Sequence, residues 1–264
     1  MLELQGITKI FNQGTVNEKK ALDNLTLTLN DGDFVTVIGG NGAGKSTMLN
    51  AIAGVWKLNS GKILVDGEDI TSKAEHRRAQ YFGRVFQDPM LGTSADMQII
   101  ENLSLAYRRG KLRSLKWAIT RSEKEFYKEQ LTRFGLGLEN RLTNKVGLLS
   151  GGQRQALTLL MATMKRPKML LLDEHTAALD PKTAAKVLAI TEEIVNEARL
   201  TTLMITHNMR DAIRYGNRLI MMHEGKVIYD VSGDEKKNLT VEDLLKKFEQ
   251  VSGHELDNDR MLLV

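Results

Sequence analysis

Phe34-Val35-Thr36-Val37-Ile38-Gly39-Gly40-Asn41-Gly42-Ala43-Gly44-Lys45-Ser46-Thr47 is the stretch whose reading decides the fold. Its first five residues, apolar or β-branched without a break, predict a fully buried strand. After Ser46 the apolar residues recur at helical spacing (Met48, Leu49, Ile52, Ala53), which predicts a helix over 46–55. The turn between them, Gly39 to Ser46, fits G-x-x-x-x-G-K-[ST]. Glycines let such a loop aim its backbone N–H groups at phosphate oxygens with no side chain in the way. The helix that follows presents its positive end to the same anion. Lys45 is expected to reach the β- and γ-phosphates, and the Ser46 hydroxyl to ligate Mg²⁺. Asn41, Gly42, Ala43, Gly44 and Thr47 complete the expected cradle with Gly39.

Outward from this loop the patterning divides the chain. Residues 2–8 and 24–30 alternate apolar and polar, as half-buried strands do, and the polar stretch 12–20 between them reads as a hairpin loop. Residues 62–67 read as a short strand and turn. From about Asp88 to Lys165 helical patterning with many charges takes over, notably in 99–109 and 121–134. After Pro167 come strand candidates at 168–172, 201–206 and 218–222, separated by helix-like segments. That is the βαβ rhythm of a parallel sheet. Residues 226–231 read as a last strand and 241–251 as an amphipathic helix. The expected fold is α/β: a phosphate-loop NTPase core with a mainly parallel sheet, an N-terminal antiparallel β subdomain and an inserted α-helical subdomain. The expected boundaries are one domain over 1–250, with a core of 1–87 and 166–250, a helical subdomain of 88–165, and a tail of 251–264.

Composition narrows the class. The chain has 264 residues, 42% of them hydrophobic, and a net charge of +4. No apolar run approaches the roughly 20 residues of a membrane helix. Glu3 interrupts any cleavable apolar leader at the N-terminus, and the absence of cysteine leaves no disulfide or thiolate metal site. Together these point to the cytoplasm. The densest basic stretch, Arg108 to Lys116, suits either acidic headgroups and nucleic acid or a solvated helical surface.

Met169-Leu170-Leu171-Leu172-Asp173-Glu174 reads as a buried strand ending in two acids. Asp173 stands where a phosphate-loop ATPase needs a carboxylate on the Mg²⁺ side. Glu174 is the candidate general base for the water that attacks the γ-phosphate. A second glycine cluster, Leu149-Ser150-Gly151-Gly152-Gln153, is another anion-binding candidate, with a helix after it from about Gln155 to Thr163. One nucleotide needs only one cradle. Two in one chain suggest that each nucleotide is shared between two chains.

With LSGGQ the chain resembles the nucleotide-binding subunit of an ATP-binding cassette (ABC) transporter, over about residues 2–250. The resemblance implies ATP and Mg²⁺ as cofactors. It implies that Ser150, Gly151, Gly152 and Gln153 face the γ-phosphate on a partner subunit. Gln87, in Arg84-Val85-Phe86-Gln87-Asp88-Pro89, matches the family's glutamine loop, which ligates Mg²⁺ or holds the water. His207 matches the switch histidine, Ala178-Leu179-Asp180 the loop that crosses the dimer interface, and Phe11 the ring that stacks on adenine. His175 stands where the family usually has proline, a departure expected to affect loop stiffness rather than chemistry. His76, His223 and His254 carry no such context and are expected to be exposed.

The resemblance further implies a second ATPase subunit, a separate membrane permease that docks near Met90, Leu91, Gly92 and Thr93, a solute-binding protein, and no nucleic-acid partner. The expected location is the cytoplasmic face of the membrane, held peripherally. The wording of Arg84–Thr93 and Asp173–Asp180 resembles a subgroup of amino-acid importer ATPases, with tryptophan and tyrosine among the proposed substrates. The alternatives are an ABC ATPase that regulates a membrane complex, or one that acts on a ribosome or DNA.

Overall fold

The computed structural model describes residues 1–110 and 119–252, with side chains to residue 250. The chain forms two compact units: Met1–Arg78 joined by the segment from Arg199 onward, and Ala79–Ala198.

In the first unit, β1 (Leu2–Phe11) pairs antiparallel with β2 (Lys19–Leu29), Leu2 opposite Leu29. The alternation read from the sequence is realised: Leu25, Leu27 and Leu29 are buried, Thr26 and Thr28 exposed. Both strands run further than the apolar pattern indicated, because the ladder continues through the pairs Ile10–Lys20 and Phe11–Lys19. Exposed polar residues do not hinder backbone pairing, so the hairpin loop shrinks to 12–18. β3 (Phe34–Ile38) is buried throughout. It leads into α1 (Lys45–Ala53). β4 (Ser60–Val65) pairs antiparallel with β1 and with β5 (Glu68–Asp69), which completes a four-stranded sheet in the order β2-β1-β4-β5.

The short α2 (Glu75–Arg78) delivers Arg78 to the far end of α1. Its guanidinium is buried and donates to the carbonyls of Ala51 (2.7 Å) and Ile52 (2.9 Å). A cation at a helix C-terminus satisfies carbonyls that lack an intrahelical partner and complements the helix dipole. Burial pulls the Arg78 pKa down, and the carbonyl contacts are what hold the charge there.

The second unit begins with β6 (Phe82–Val85), followed by α3 (Ile99–Tyr107), α4 (Arg121–Thr132) and α5 (Gly151–Thr163). Then come β7 (Met169–Asp173) and α6 (Pro181–Ala198). β6 and β7 are parallel, with Phe82 opposite Met169 and Val85 opposite Leu172. The helices bury Ile99, Leu103, Tyr127, Leu131 and Leu157. Thr120 and Glu123 form a capping box at the start of α4. Of the basic stretch, residues 111–116 lie outside the described residues. Arg108 pairs with Glu123 at 2.8 Å, and Arg109 donates to the carbonyls of Ala162 and Lys165.

The chain then returns to the first unit through β8 (Thr201–Ile205), α7 (Met209–Arg214), β9 (Arg218–His223), β10 (Lys226–Ser232), α8 (Gly233–Lys237) and α9 (Val241–Ser252). β3 lies parallel between β8 and β9, while β10 closes antiparallel on β9. Strands paired on both sides and covered on both faces are read as unbroken apolar runs, which is why β3 was legible. Leu244 and Phe248 of α9 pack with Ile38, Met209, Leu219 and Met221. His76 is exposed as expected. His223 is not: it is half-buried, edge-on to Phe248 at 5.6 Å, because α9 covers it. His254 lies outside the described residues. Among the described residues no helix is long and apolar enough to cross a membrane.

Candidate functional site

In the first unit the glycine loop joins β3 to α1. Gly39, Gly42 and Gly44 adopt positive φ angles of 150°, 79° and 99°. Two of them also meet backbone: a Cβ on Gly39 would lie 2.2 Å from the Met222 carbonyl oxygen, and one on Gly44 2.5 Å from that of Ala21. Here glycine is required by both conformation and space. Lys45 is buried, and its ammonium donates to the carbonyls of Gly39 (2.6 Å) and Gly40 (3.2 Å), so the lysine closes the loop on itself. Ser46 is exposed at the first turn of α1, with Asn41 and Gly42 exposed beside it; Ala43 is buried and Thr47 half-buried.

Helix starts in this molecule differ in how they are finished. α3, α4 and α5 carry capping boxes, and α7 is capped by Asn208. α1 has Gly44 at its N-cap, no side-chain cap and no acid in its first turn. A helix N-terminus built without its own acceptor is suited to an anion from outside.

Phe11, at the end of β1, is half-buried. Trp56 stands edge-on to it at 5.4 Å and the Lys9 ammonium lies 5.0 Å from its ring centre. Trp56 was not singled out by the sequence reading, because nothing in the spacing 11–56 brings the rings together; the β1–β4 pairing does. His207 follows β8, half-buried, ahead of α7. Asp211 on α7 has its pKa raised by burial, an effect that Arg214 and His207 oppose.

In the second unit the Ser150 cluster is a helix start. α5 begins at Gly151, four residues before the expected Gln155, because Ser150 and Gln153 form a capping box. Gln153 N–H donates to Ser150 Oγ at 3.3 Å, and Ser150 N–H donates to Gln153 Oε1 at 3.2 Å. The Gln153 amide nitrogen donates to Leu136 O at 3.2 Å. S-x-x-Q is the sequence signal that locates this start. Gly152 also answers a packing demand: a Cβ there would lie 2.1 Å from Thr183 Cγ2 on α6. The buried Gln155 donates to Phe86 O at 3.2 Å and thereby ties α5 to the segment that carries Gln87.

Gln87 is exposed beyond β6. Asp88 caps the next turn by accepting from Met90 N–H at 2.8 Å, which leaves Met90 and Leu91 exposed, Leu91 at 70%. Asp173 ends β7 with its side chain 14% exposed, and Arg84 Nη2 lies 3.8 Å from its carboxylate. The Arg84 guanidinium also lies 4.4 Å from the Phe86 ring centre. Arg84 faces Asp173 because β6 and β7 run parallel and in register, Arg84 opposite Leu171. Glu174 follows in a left-handed backbone, φ 44°, and Ala177 N–H donates to its carbonyl at 3.0 Å. His175 is buried, its pKa pushed down to about 4 by burial. Asp180 caps α6, accepting from Thr183 N–H at 3.1 Å, and the Thr183 hydroxyl and N–H draw its pKa down.

The family model described as ABC transporter matches residues 22–177. A tyrosine transport ATP-binding protein of Clostridioides difficile (strain R20291) is 49% identical over 249 residues, covering 94% of this chain and 99% of that protein. A methionine import ATP-binding protein of Corynebacterium diphtheriae is 37% identical, covering 86% of this chain and 64% of that longer protein. Among solved structures, the dimeric post-hydrolysis state of an ATP-binding cassette bound to ADP and Pi aligns with a TM-score of 0.76 at 28% identity, over 88% of this chain and 98% of that one.

Proposed function

Because the chain belongs to the ABC transporter family, we propose that it is the ATP-hydrolysing subunit of a bacterial importer whose cargo is an aromatic amino acid of the tyrosine type. One observation carries the cargo: the match that spans almost the whole of the tyrosine transport protein. The methionine import relative, 37% identical, supports the importer class, and it is matched over a smaller share of its own length than the tyrosine transport protein is.

The residues take these roles. Phe11 stacks on adenine, backed by Trp56. The N–H groups of residues 39–47 and the Lys45 ammonium bind the phosphates; Lys45 exchanges its carbonyl partners for phosphate oxygens. Ser46, Gln87 and Asp173 supply oxygens for Mg²⁺. The donor set fits that ion: a hydroxyl, an amide and one carboxylate suit a hard cation that keeps waters and phosphate oxygens in its shell. Among the described residues no group of three or more His, Cys, Asp or Glu forms a protein-only cage. Bound there, Mg²⁺ supplies charge neutralisation on the phosphate oxygens.

Hydrolysis forms a bond between a water oxygen and the γ-phosphorus and breaks the bond to the β–γ bridging oxygen. Glu174 accepts the water proton, and the bridging oxygen leaves with ADP. His207 orients the water. Ser150, Gly151, Gly152 and Gln153 of a second copy face the γ-phosphate through the N-terminus of α5, and Asp180 lies at that dimer interface. ATP closes the pair; phosphate release opens it. Met90, Leu91, Gly92 and Thr93 form the docking edge for a separate permease, and the exposure of Met90 and Leu91 supports that use. A solute-binding protein completes an importer that holds this chain at the cytoplasmic face of the membrane.

The test is purification from native membranes followed by reconstitution. The expected outcome is a polytopic membrane protein in the complex and ATP-dependent uptake of labelled tyrosine by the vesicles. Ribosomes or DNA in the complex, or vesicles that hydrolyse ATP and move no aromatic amino acid, would overturn the reading.

A further inference from the structure

The acidic turn after β7 holds a buried polar contact that no step of hydrolysis uses. His175 and Thr191 are 2% and 1% exposed, and His175 Nε2 lies 3.3 Å from Thr191 Oγ1. The Thr191 hydroxyl donates its single hydrogen to Val187 O at 2.8 Å, one turn back on α6. Its oxygen can only accept from the ring. The imidazole therefore carries its hydrogen on Nε2 and donates to Thr191.

This contact sits one residue after a strained one. Glu174 has φ 44°, a left-handed backbone that a side-chain-bearing residue rarely adopts. Such a conformation persists only where its surroundings over-determine it. On the N-terminal side the register of β7 against β6 fixes the backbone up to Leu172, opposite Val85. On the C-terminal side the first anchored side chain is His175, fastened to the buried face of α6 beside Val187, Leu188 and Val195. A proline at 175 would restrict φ through its ring; here a buried hydrogen bond does the holding.

We propose that His175 and Thr191 are positioning residues, which clamp the turn so that Glu174 keeps its left-handed backbone and its carboxylate stays aimed for the hydrolytic step. The proposal rests on Glu174 as the general base. Small misplacements of a reacting group cost up to about a hundredfold in rate, so a loosened clamp acts on kcat before it acts on nucleotide binding.

The test uses the full-length chain and its ATP turnover. Thr191→Val keeps the side-chain shape and removes the acceptor. It lowers kcat about tenfold with KM and ATP affinity within about twofold. Thr191→Ser, which returns the hydroxyl, recovers most of that loss. His175→Gln, whose amide donates from near the Nε2 position, retains more activity than His175→Leu, and unfolding temperatures show which variants are folded. In a Glu174→Gln background, Thr191→Val lowers the residual rate no further, since the pair acts through Glu174. A folded Thr191→Val with full kcat, or one that weakens ATP binding and kcat alike, overturns the clamp. Glu174→Gln with full turnover overturns the base assignment instead, so the two failures are distinguishable.

Discussion

The glycine loop at 39–46 and the acidic turn at 173–180 solve one problem in opposite ways. Both follow a buried strand, and both depart from ordinary backbone angles: φ 150° and 99° at Gly39 and Gly44, φ 44° at Glu174. In the loop, glycine makes the unusual angles cheap and leaves room for the carbonyls of Met222 and Ala21. In the turn, the unusual angle falls on Glu174, the proposed general base, where glycine would leave no carboxylate. On the proposed clamp, the strain stays and is held from outside by the His175–Thr191 contact with α6. A binding loop can be encoded locally by residue type; an aimed catalytic side chain needs a tertiary clamp.

The sharpest way to break the comparison is Glu174→Gln. It removes the proposed base without changing size, so ATP turnover falls at least about a hundredfold while ATP binding and folding persist. Retained turnover would leave the strain at 174 without a catalytic reason.

The second largest effect is on stability against pH. Burial holds His175 neutral, with a folded pKa of about 4 against 6.5 in an unstructured chain. Between those values the unfolded state binds the extra proton. This contribution is therefore complete above about pH 6.5 and is lost as pH falls through the window towards 4, by on the order of 3 kcal/mol. Denaturant unfolding across that window shows the loss, and His175→Gln flattens it.

Gly39→Ala comes next. Its Cβ meets the Met222 carbonyl at 2.2 Å, so the variant loses about 2 kcal/mol of stability and most of its ATP affinity. Smallest is the mirror experiment in the acidic turn. Glu174→Gly unfolds about 1 kcal/mol later than Glu174→Ala, both being inactive, because only glycine is at ease at φ 44°. Equal stability for the two would mean that the turn relaxes when the carboxylate is gone.

The legible parts share a physical character. β3, β7 and β8 are short apolar or β-branched runs of strand length, and the glycines around Lys45 mark a tight turn of the kind that suits an anion. The start of α5 was legible in principle, since Ser150 and Gln153 spell a capping box, but the apolar pattern that sets in later at Gln155 pointed downstream. The extension of β1 and β2 was not legible, because exposed ladder positions place no demand on side-chain polarity. Nor was the burial of His223, which depends on a helix from the end of the chain.

What the sequence by itself determined about this ABC ATPase is its candidate chemistry: a glycine-rich loop suited to phosphate, a helix start after a serine, an acid pair at a strand end. These are local encodings, in which residue type dictates backbone shape within a few positions. What only the tertiary structure decided is the holding of that chemistry. Arg78 fastens the end of α1, Gln155 ties α5 to Phe86, Thr183 leaves no room beside Gly152, and Thr191 accepts from His175. Each partner is distant in sequence and neither residue type announces the other. For the buried Arg78, Gln155 and His175 a partner is obligatory, since a polar group away from water must find one wherever the fold supplies it; beside Gly152 the constraint is close packing.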